Sequence, residues 1–316
     1  MRVVRVPRLD RDVSAIGFGC ASLGSRISAA DGRRAIARAL DLGLNWFDVA
    51  PSYGDGQAEA LLGAALRGAR DRVVLCTKFG IAPAAVPLAA RLLRPLARRT
   101  IAAFPQLRGV VSRARPIGQR APIDPATIEA SVTRSLRSLR TDYIDVLTVH
   151  EPTPQDAVNG KIFDVLRRLV ERGVVRAVSI AGDPQSIEAA VRAGRPIDIA
   201  QFPDTPLTNA AGMLRASLPP PPPMFVTHGV FGSGLTQALA GVNAQQRAKL
   251  TALAERHGID FLKSPNDLLL RFAFSNNPDG VVVVSMFDTG HIERNLAGSR
   301  LTPIPDFADA VRRGLA

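Results

Sequence analysis

A chain of 316 residues, 46% of them hydrophobic, is long enough to bury one large core, and a single domain over 1–316 is the expectation. The formal net charge of +12 raises nucleic acid or an anionic surface as a partner, but residues 81–120 hold eight arginines (Arg91, Arg94, Arg98, Arg99, Arg108, Arg113, Arg115 and Arg120) and no acidic side chain, while the remainder is close to balanced. Only Phe104 in that stretch offers a ring for stacking, which argues against nucleic acid and leaves contact with a membrane surface as the weaker alternative role of the insert.

Taken in chain order, the first dozen residues carry charges throughout and lack the apolar centre of a signal peptide; V-V-R-V followed by a turn predicts a small hairpin. A strand-like run at 16–21 follows, then a helix opened by Ser28 and stopped at Gly43. The next run, 45–50, contains Asp48, with Tyr53 just beyond it, and the run at 73–78 ends on Lys78. In the basic insert at 81–120, Leu88, Leu92, Leu93, Leu96 and Ile101 recur at helical spacing beside arginines, interrupted by Pro95, so an amphipathic lid-like segment is expected there.

Asp124-Pro125 opens the next helix, to Leu139, and the strand-like run at 145–150 ends on His150. After a helix stop at Gly173 come a run at 174–180, a helix opened by Asp183-Pro184, and a run at 197–201 ending on Gln201. Five consecutive prolines at 219–223 predict an extended polyproline spacer before the run at 224–228, which ends on His228. The last run lies at 281–285. Eight strand-like runs alternating with helical spacing predict a (β/α)8 TIM barrel with an N-terminal hairpin and a basic insert after the third barrel strand. A doubly wound sheet fits less well, because G-F-G-C-A-S-L-G after the first run is not the G-x-G-x-x-G dinucleotide fingerprint.

Asp48, Tyr53, Lys78 and His150 thus fall at or just past strand ends, where barrels of this kind assemble active sites. A phenol with a pKa near 10 is a poor proton donor at neutral pH, and a neighbouring ammonium from Lys78 is expected to bring it toward the working range. A buried lysine needs a carboxylate to stay charged, and Asp48 is placed to supply one. The cysteines, Cys20 and Cys76, lie far apart in apolar runs with no metal-ligand spacing; no metal site is expected, and a reducing, cytoplasmic location is. No apolar run approaches the ~20 residues of a spanning helix.

Three ordered motifs carry a resemblance: F-D-V-A-P-S-Y-G-D-G-Q-A-E-A-L-L-G at 47–63, T-K-F-G at 77–80, and S-L-R-S-L-R-T-D-Y-I-D-V-L-T-V-H at 135–150. Together they resemble the aldo-keto reductases. The resemblance implies NAD- or NADP-dependent interconversion of a small carbonyl or alcohol substrate, with Tyr53 as general acid, Lys78 and Asp48 tuning it, and His150 orienting the carbonyl; Tyr143 is left a structural role. It also implies cofactor contacts from Gln201, from His228, from Gly232 and Gly234 in the loop G-V-F-G-S-G-L, and from Ser285, His291 and Asn295. The likeness is thinner here: Ala181 and Gly182 stand where the family has Ser-Asn, and Ser285, Met286 and His291 stand where NADPH-specific relatives hold a 2′-phosphate, so NADH use or weak discrimination is the expectation. A barrel that binds a dinucleotide without catalysis, as a regulatory or scaffold protein, is the alternative; the substrate is left open, and the insert is compatible with an anionic one.

Overall fold

The computed structural model describes residues 1–83, 122–232, 235 and 239–315. Of the expected lid at 81–120, residues 84–120 lie outside the described residues, as does Gly234. Strands β1 (Val3–Val6) and β2 (Arg11–Ser14) form the antiparallel hairpin, turning at Asp10, whose φ is +50°. Val4, Val6 and Val13 are its buried face, and the Ser14 amide donates to Asn45 Oδ1 at 2.7 Å, seating the hairpin under the N-terminal end of the barrel.

Among the described residues, eight parallel strands close the barrel: β3 (Ile16–Gly19), β4 (Trp46–Asp48), β5 (Val74–Phe79), β6 (Ile144–His150), β7 (Val175–Ala181), β8 (Ile199–Pro203), β9 (Met224–His228) and β10 (Val281–Val284). They pair in chain order, and β10 pairs with both β9 and β3, so no edge is left. Every residue of β4, β5 and β6 is buried, because these strands face the barrel interior on one side and helices on the other.

The sequence signals for helix boundaries have direct counterparts. Ser28 caps α1 (Ala29–Asp41) by accepting from the Asp31 amide, and Gly43 follows it at φ +86°. Helix α2 (Ala58–Ala65) follows β4; α3 (Pro125–Leu139) is capped by Asp124 and α6 (Pro184–Arg192) by Asp183, each with proline in its first turn. Between them, α4 (Pro154–Val158) starts on a capping box made by Thr153 and Asp156, and α5 (Gly160–Glu171) precedes β7. The later helices are α7 (Ala210–Ser217), α8 (Ala244–Glu255), α9 (Pro265–Asn276), α10 (Thr289–Ser299) and α11 (Phe307–Leu315). The proline run joins α7 to β9, and the bond between Pro220 and Pro221 is cis. No helix among the described residues is long and apolar enough to cross a membrane.

The floor of the barrel is fixed electrostatically. Asp145, 1% exposed, pairs with Arg70 at 2.7 Å and Arg176 at 3.1 Å and accepts from the Leu75 amide at 3.0 Å. Tyr143 lies between the same two guanidinium groups, 4.0 and 3.7 Å from its ring centre, and donates to Asp71. This is a structural setting for Tyr143, far from the strand ends that carry Lys78 and His150.

Helices α2 and α3 approach closely because Gly63 has no side chain: a Cβ there would lie 2.4 Å from the Leu139 carbonyl oxygen. We predict that Gly63→Ala forces the helices apart and lowers stability by about 1–3 kcal/mol. A urea midpoint equal to that of the parent protein would contradict this packing.

Candidate active site

Asp48 is the last residue of β4, with its side chain in the barrel interior, and the chain then turns sharply through Ala50 to Tyr53. The turn holds because the Tyr53 amide donates to the Ala50 carbonyl at 3.0 Å and because Gly54 adopts φ +59°. A Cβ at Gly54 would lie 1.8 Å from the Leu23 carbonyl oxygen, so only glycine lets the loop settle on the segment after β3. Lys78 sits near the end of β5, in register with Thr148 of β6, and His150 ends β6. Four side chains separated by up to a hundred residues therefore meet at the C-terminal mouth.

Lys78 is 2% exposed, and its Nζ lies 2.7 Å from Asp48 Oδ1, 2.6 Å from Oδ2 and 3.3 Å from the Val49 carbonyl. The same ammonium is 5.3 Å from the centre of the Tyr53 ring, which meets the His150 ring edge-on with centroids 5.9 Å apart. Asp48 and His150 are buried and Tyr53 is half-buried. Gln201, the middle residue of β8, donates its Nε2 to Asp48 Oδ2 at 3.0 Å. On the far side of β5, Thr77 donates to buried Glu59 of α2 at 2.7 Å, clamping the helix to the strand beside Lys78.

Burial alone would strip the proton from Lys78, but the Asp48 charge opposes it, and the ammonium is held charged beyond the ordinary lysine range. Tyr53 departs from the expectation. Burial pushes its pKa up to about 12, and the Lys78 charge, which pulls it down, is partly neutralised by Asp48, so the phenol does not reach the neutral range. The Cys76 thiol is raised to about 12 by burial and the Cys20 thiol is also raised, which leaves both protonated and unreactive. His228, half-buried at the end of β9, is lowered to about 4 by burial and is neutral at pH 7.

The residues expected to hold a dinucleotide divide into two groups. Gln201 and His228 join the mouth, and a neutral imidazole there suits stacking on an aromatic ring. Ala181 and Gly182 supply no side-chain donors, and their backbones are engaged: the Ala181 carbonyl accepts from Glu151 and the Gly182 amide donates to the Gln201 carbonyl. Gly232 lies in a turn, its amide donating to the Gly229 carbonyl at 2.8 Å. Beyond β10, Ser285 and His291 are exposed, Met286 is fully buried, and Asn295 is buried with Nδ2 3.9 Å from the Met286 sulfur. Sequence reading missed Asp288, which caps α10 by accepting from the His291 amide at 3.1 Å and sets a carboxylate at that helix N-terminus; an aspartate just before a helix is the signal that marks it. Gln201 and His228 thus lie by the Asp48–Lys78 pair, whereas His291, expected beyond β10, lies beside the Asp288 carboxylate.

Both ends of the insert reach the mouth: Gly80 and Ile81 on one side and Pro122 and Ile123 on the other line a cleft with His150 and Glu151. Among the described residues, no cluster of three His, Cys, Asp or Glu side chains is arranged to hold a metal.

Fold and mouth together define a (β/α)8 barrel whose C-terminal rim gathers titratable groups. The sequence profile of the Aldo/keto reductase family matches residues 15–307, and the chain belongs to that family. It is 30% identical over 207 residues to a D-threo-aldose 1-dehydrogenase from a Pseudomonas species, covering 59% of this chain and 55% of that one. It is 31% identical over 177 residues to a 6-dehydroglucose reductase of Agrobacterium fabrum (strain C58 / ATCC 33970), covering 54% and 50%. The chain spans about half the length of the curated relatives it matches. Among solved structures, the holo form of an aldo-keto reductase from Bacillus halodurans superposes with a TM-score of 0.70 at 21% identity, over 100% of this chain and 95% of that one.

Asp48→Asn leaves the buried Lys78 without a counter-charge. We predict a loss of about 3–5 kcal/mol of unfolding free energy. Denaturant unfolding of the two proteins measures it, and equal midpoints would show that the pair is not the buried ion pair described.

Proposed function

We propose that this protein is an NAD(P)-linked oxidoreductase that interconverts a carbonyl compound with its alcohol. The observation that carries the reading is the Lys78 ammonium, held by Asp48 and 5.3 Å from the Tyr53 ring at the barrel mouth. A non-catalytic binding protein has no need of a buried lysine, tyrosine and histidine converging on one point. Two relatives named for sugar substrates favour an aldehyde, ketone or sugar hemiacetal, and the arginine-rich segment joined to the cleft at both ends favours an anionic one. Two free, buried cysteines suit the cytoplasm.

Gln201 and His228 would hold the nicotinamide end. A bound nicotinamide dinucleotide supplies or accepts the hydride. Tyr53 gives its proton to the carbonyl oxygen, Lys78 stabilises the phenolate left behind, and His150 orients the substrate oxygen by a hydrogen bond. With a pKa of about 12, the phenol is protonated at neutral pH, so reduction is favoured there, while oxidation of the alcohol, which needs the phenolate, rises toward alkaline pH.

Tyr53→Phe removes the donated proton and no dinucleotide contact. We predict a fall in kcat of about a hundredfold or more, with the dissociation constant for the dinucleotide, read by fluorescence titration, near the parent value. Parent-level turnover would refute the assignment of Tyr53.

Asp288 at the α10 N-terminus, with Ser285 and His291 beside it, opposes a 2′-phosphate. Competitive titration is predicted to show NADH bound as well as or better than NADPH, and Asp288→Ser to improve NADPH binding about tenfold, ~1.4 kcal/mol. A preference of the parent protein for NADPH above about a hundredfold contradicts this.

A further inference from the structure

Strands β4 and β8 stand four places apart in the closed order of eight, so they face each other across the barrel. Gln201 spans that diameter. Its Nε2 reaches Asp48 Oδ2 at 3.0 Å, the same oxygen that Lys78 holds at 2.6 Å, and the side chain is buried, the residue being 3% exposed. The orientation of the amide is dictated by chemistry: a carboxylate only accepts, so the NH2 of Gln201 must face it.

We infer that Gln201 is a positioning residue for the acid–base group: by donating to Asp48 across the barrel, it fixes the carboxylate against Lys78 and limits the negative charge that Tyr53 feels. This rests on the reading of Tyr53 as the proton donor and adds a second role to the cofactor contact expected of Gln201. The electrostatics support the geometry. The groups acting on Tyr53 are Lys78 and Cys76 from β5 and Asp48 from β4, with the His150 ring of β6 against its face; Cys20 and His228, from beyond β3 and from β9, are coupled to the same Asp48–Lys78 pair. Of these, Asp48 makes the phenol harder to ionise and Lys78 makes it easier. A donor removed from Asp48 leaves its charge less shared, both toward Tyr53 and toward Lys78, and the two effects have the same sign.

The test compares Gln201→Met, which keeps length and loses the donor, with Gln201→Glu, which keeps shape and puts a second carboxylate against Asp48. Alcohol oxidation with NAD is followed as a function of pH, alongside the dinucleotide dissociation constant. The alkaline rise of the oxidation rate should move to higher pH in Gln201→Met, by up to about one unit, with a rate about tenfold lower at a fixed pH below it. It should move further in Gln201→Glu. A second readout needs no turnover: in a Tyr143→Phe background Tyr53 is the only tyrosine, and the fraction of phenolate absorbing at pH 11 should fall in the same order. That titration still decides the role of Gln201 if the parent protein proves to have no oxidoreductase activity. Should Gln201→Met fail to fold, the near-isosteric Gln201→Glu carries the comparison alone. pH profiles and phenolate titrations that superimpose on the parent's, with only dinucleotide affinity or thermal stability reduced, overturn the proposal.

Discussion

A lysine ammonium at 2% exposure cannot remain charged by itself, and the mouth of this barrel is organised around the carboxylate that keeps it so. Asp48 takes both of its short contacts from Lys78, at 2.6 and 2.7 Å, and a third from Gln201. The geometry needs three strands at fixed separations, which a closed barrel provides without edges or slack. The glycine turn at Gly54 then brings Tyr53 over the pair, and the Thr77–Glu59 contact locks α2 beside it.

The barrel separates this site from its stabilising charges. The Asp145 cluster with Arg70 and Arg176 lies at the N-terminal end, where it ties β6 to β5 through the Leu75 amide and to β7 through Arg176. Burying a carboxylate there is tolerable because two guanidinium groups and a backbone amide satisfy it. At the opposite end Tyr53 stays half-buried and His228 neutral, so among the described residues the mouth presents the Asp48–Lys78 ion pair deep inside, with a protonated phenol and a neutral imidazole near it.

Much of this was legible in the sequence because local rules and global fold agree. The cap residues Ser28, Asp124 and Asp183 precede helices, and the alternation of short β-branched runs with helical spacing yields the eight barrel strands, displaced from the expected limits by one or two residues. The convergence of Asp48, Tyr53, Lys78 and His150 at one mouth was readable because strand ends are legible and their flanking motifs are long. What could not be read was anything set by distance across the barrel. The Gln201–Asp48 contact joins residues 153 positions apart, and the high pKa of Tyr53 depends on burial that no motif encodes.

In the proposed mechanism the buried, Asp48-held charge of Lys78 governs the proton on Tyr53. The chain has two tyrosines, and Tyr143 lies at the other end of the barrel with its ring held between Arg70 and Arg176, so Tyr143→Phe leaves Tyr53 as the sole reporter. Ultraviolet difference titration of that protein should give a phenolate midpoint at about 12. Adding Lys78→Met should push the midpoint higher, with less phenolate at every pH where the barrel stays folded. A midpoint near the ordinary tyrosine value of about 10, or one that Lys78→Met leaves in place, would contradict the account.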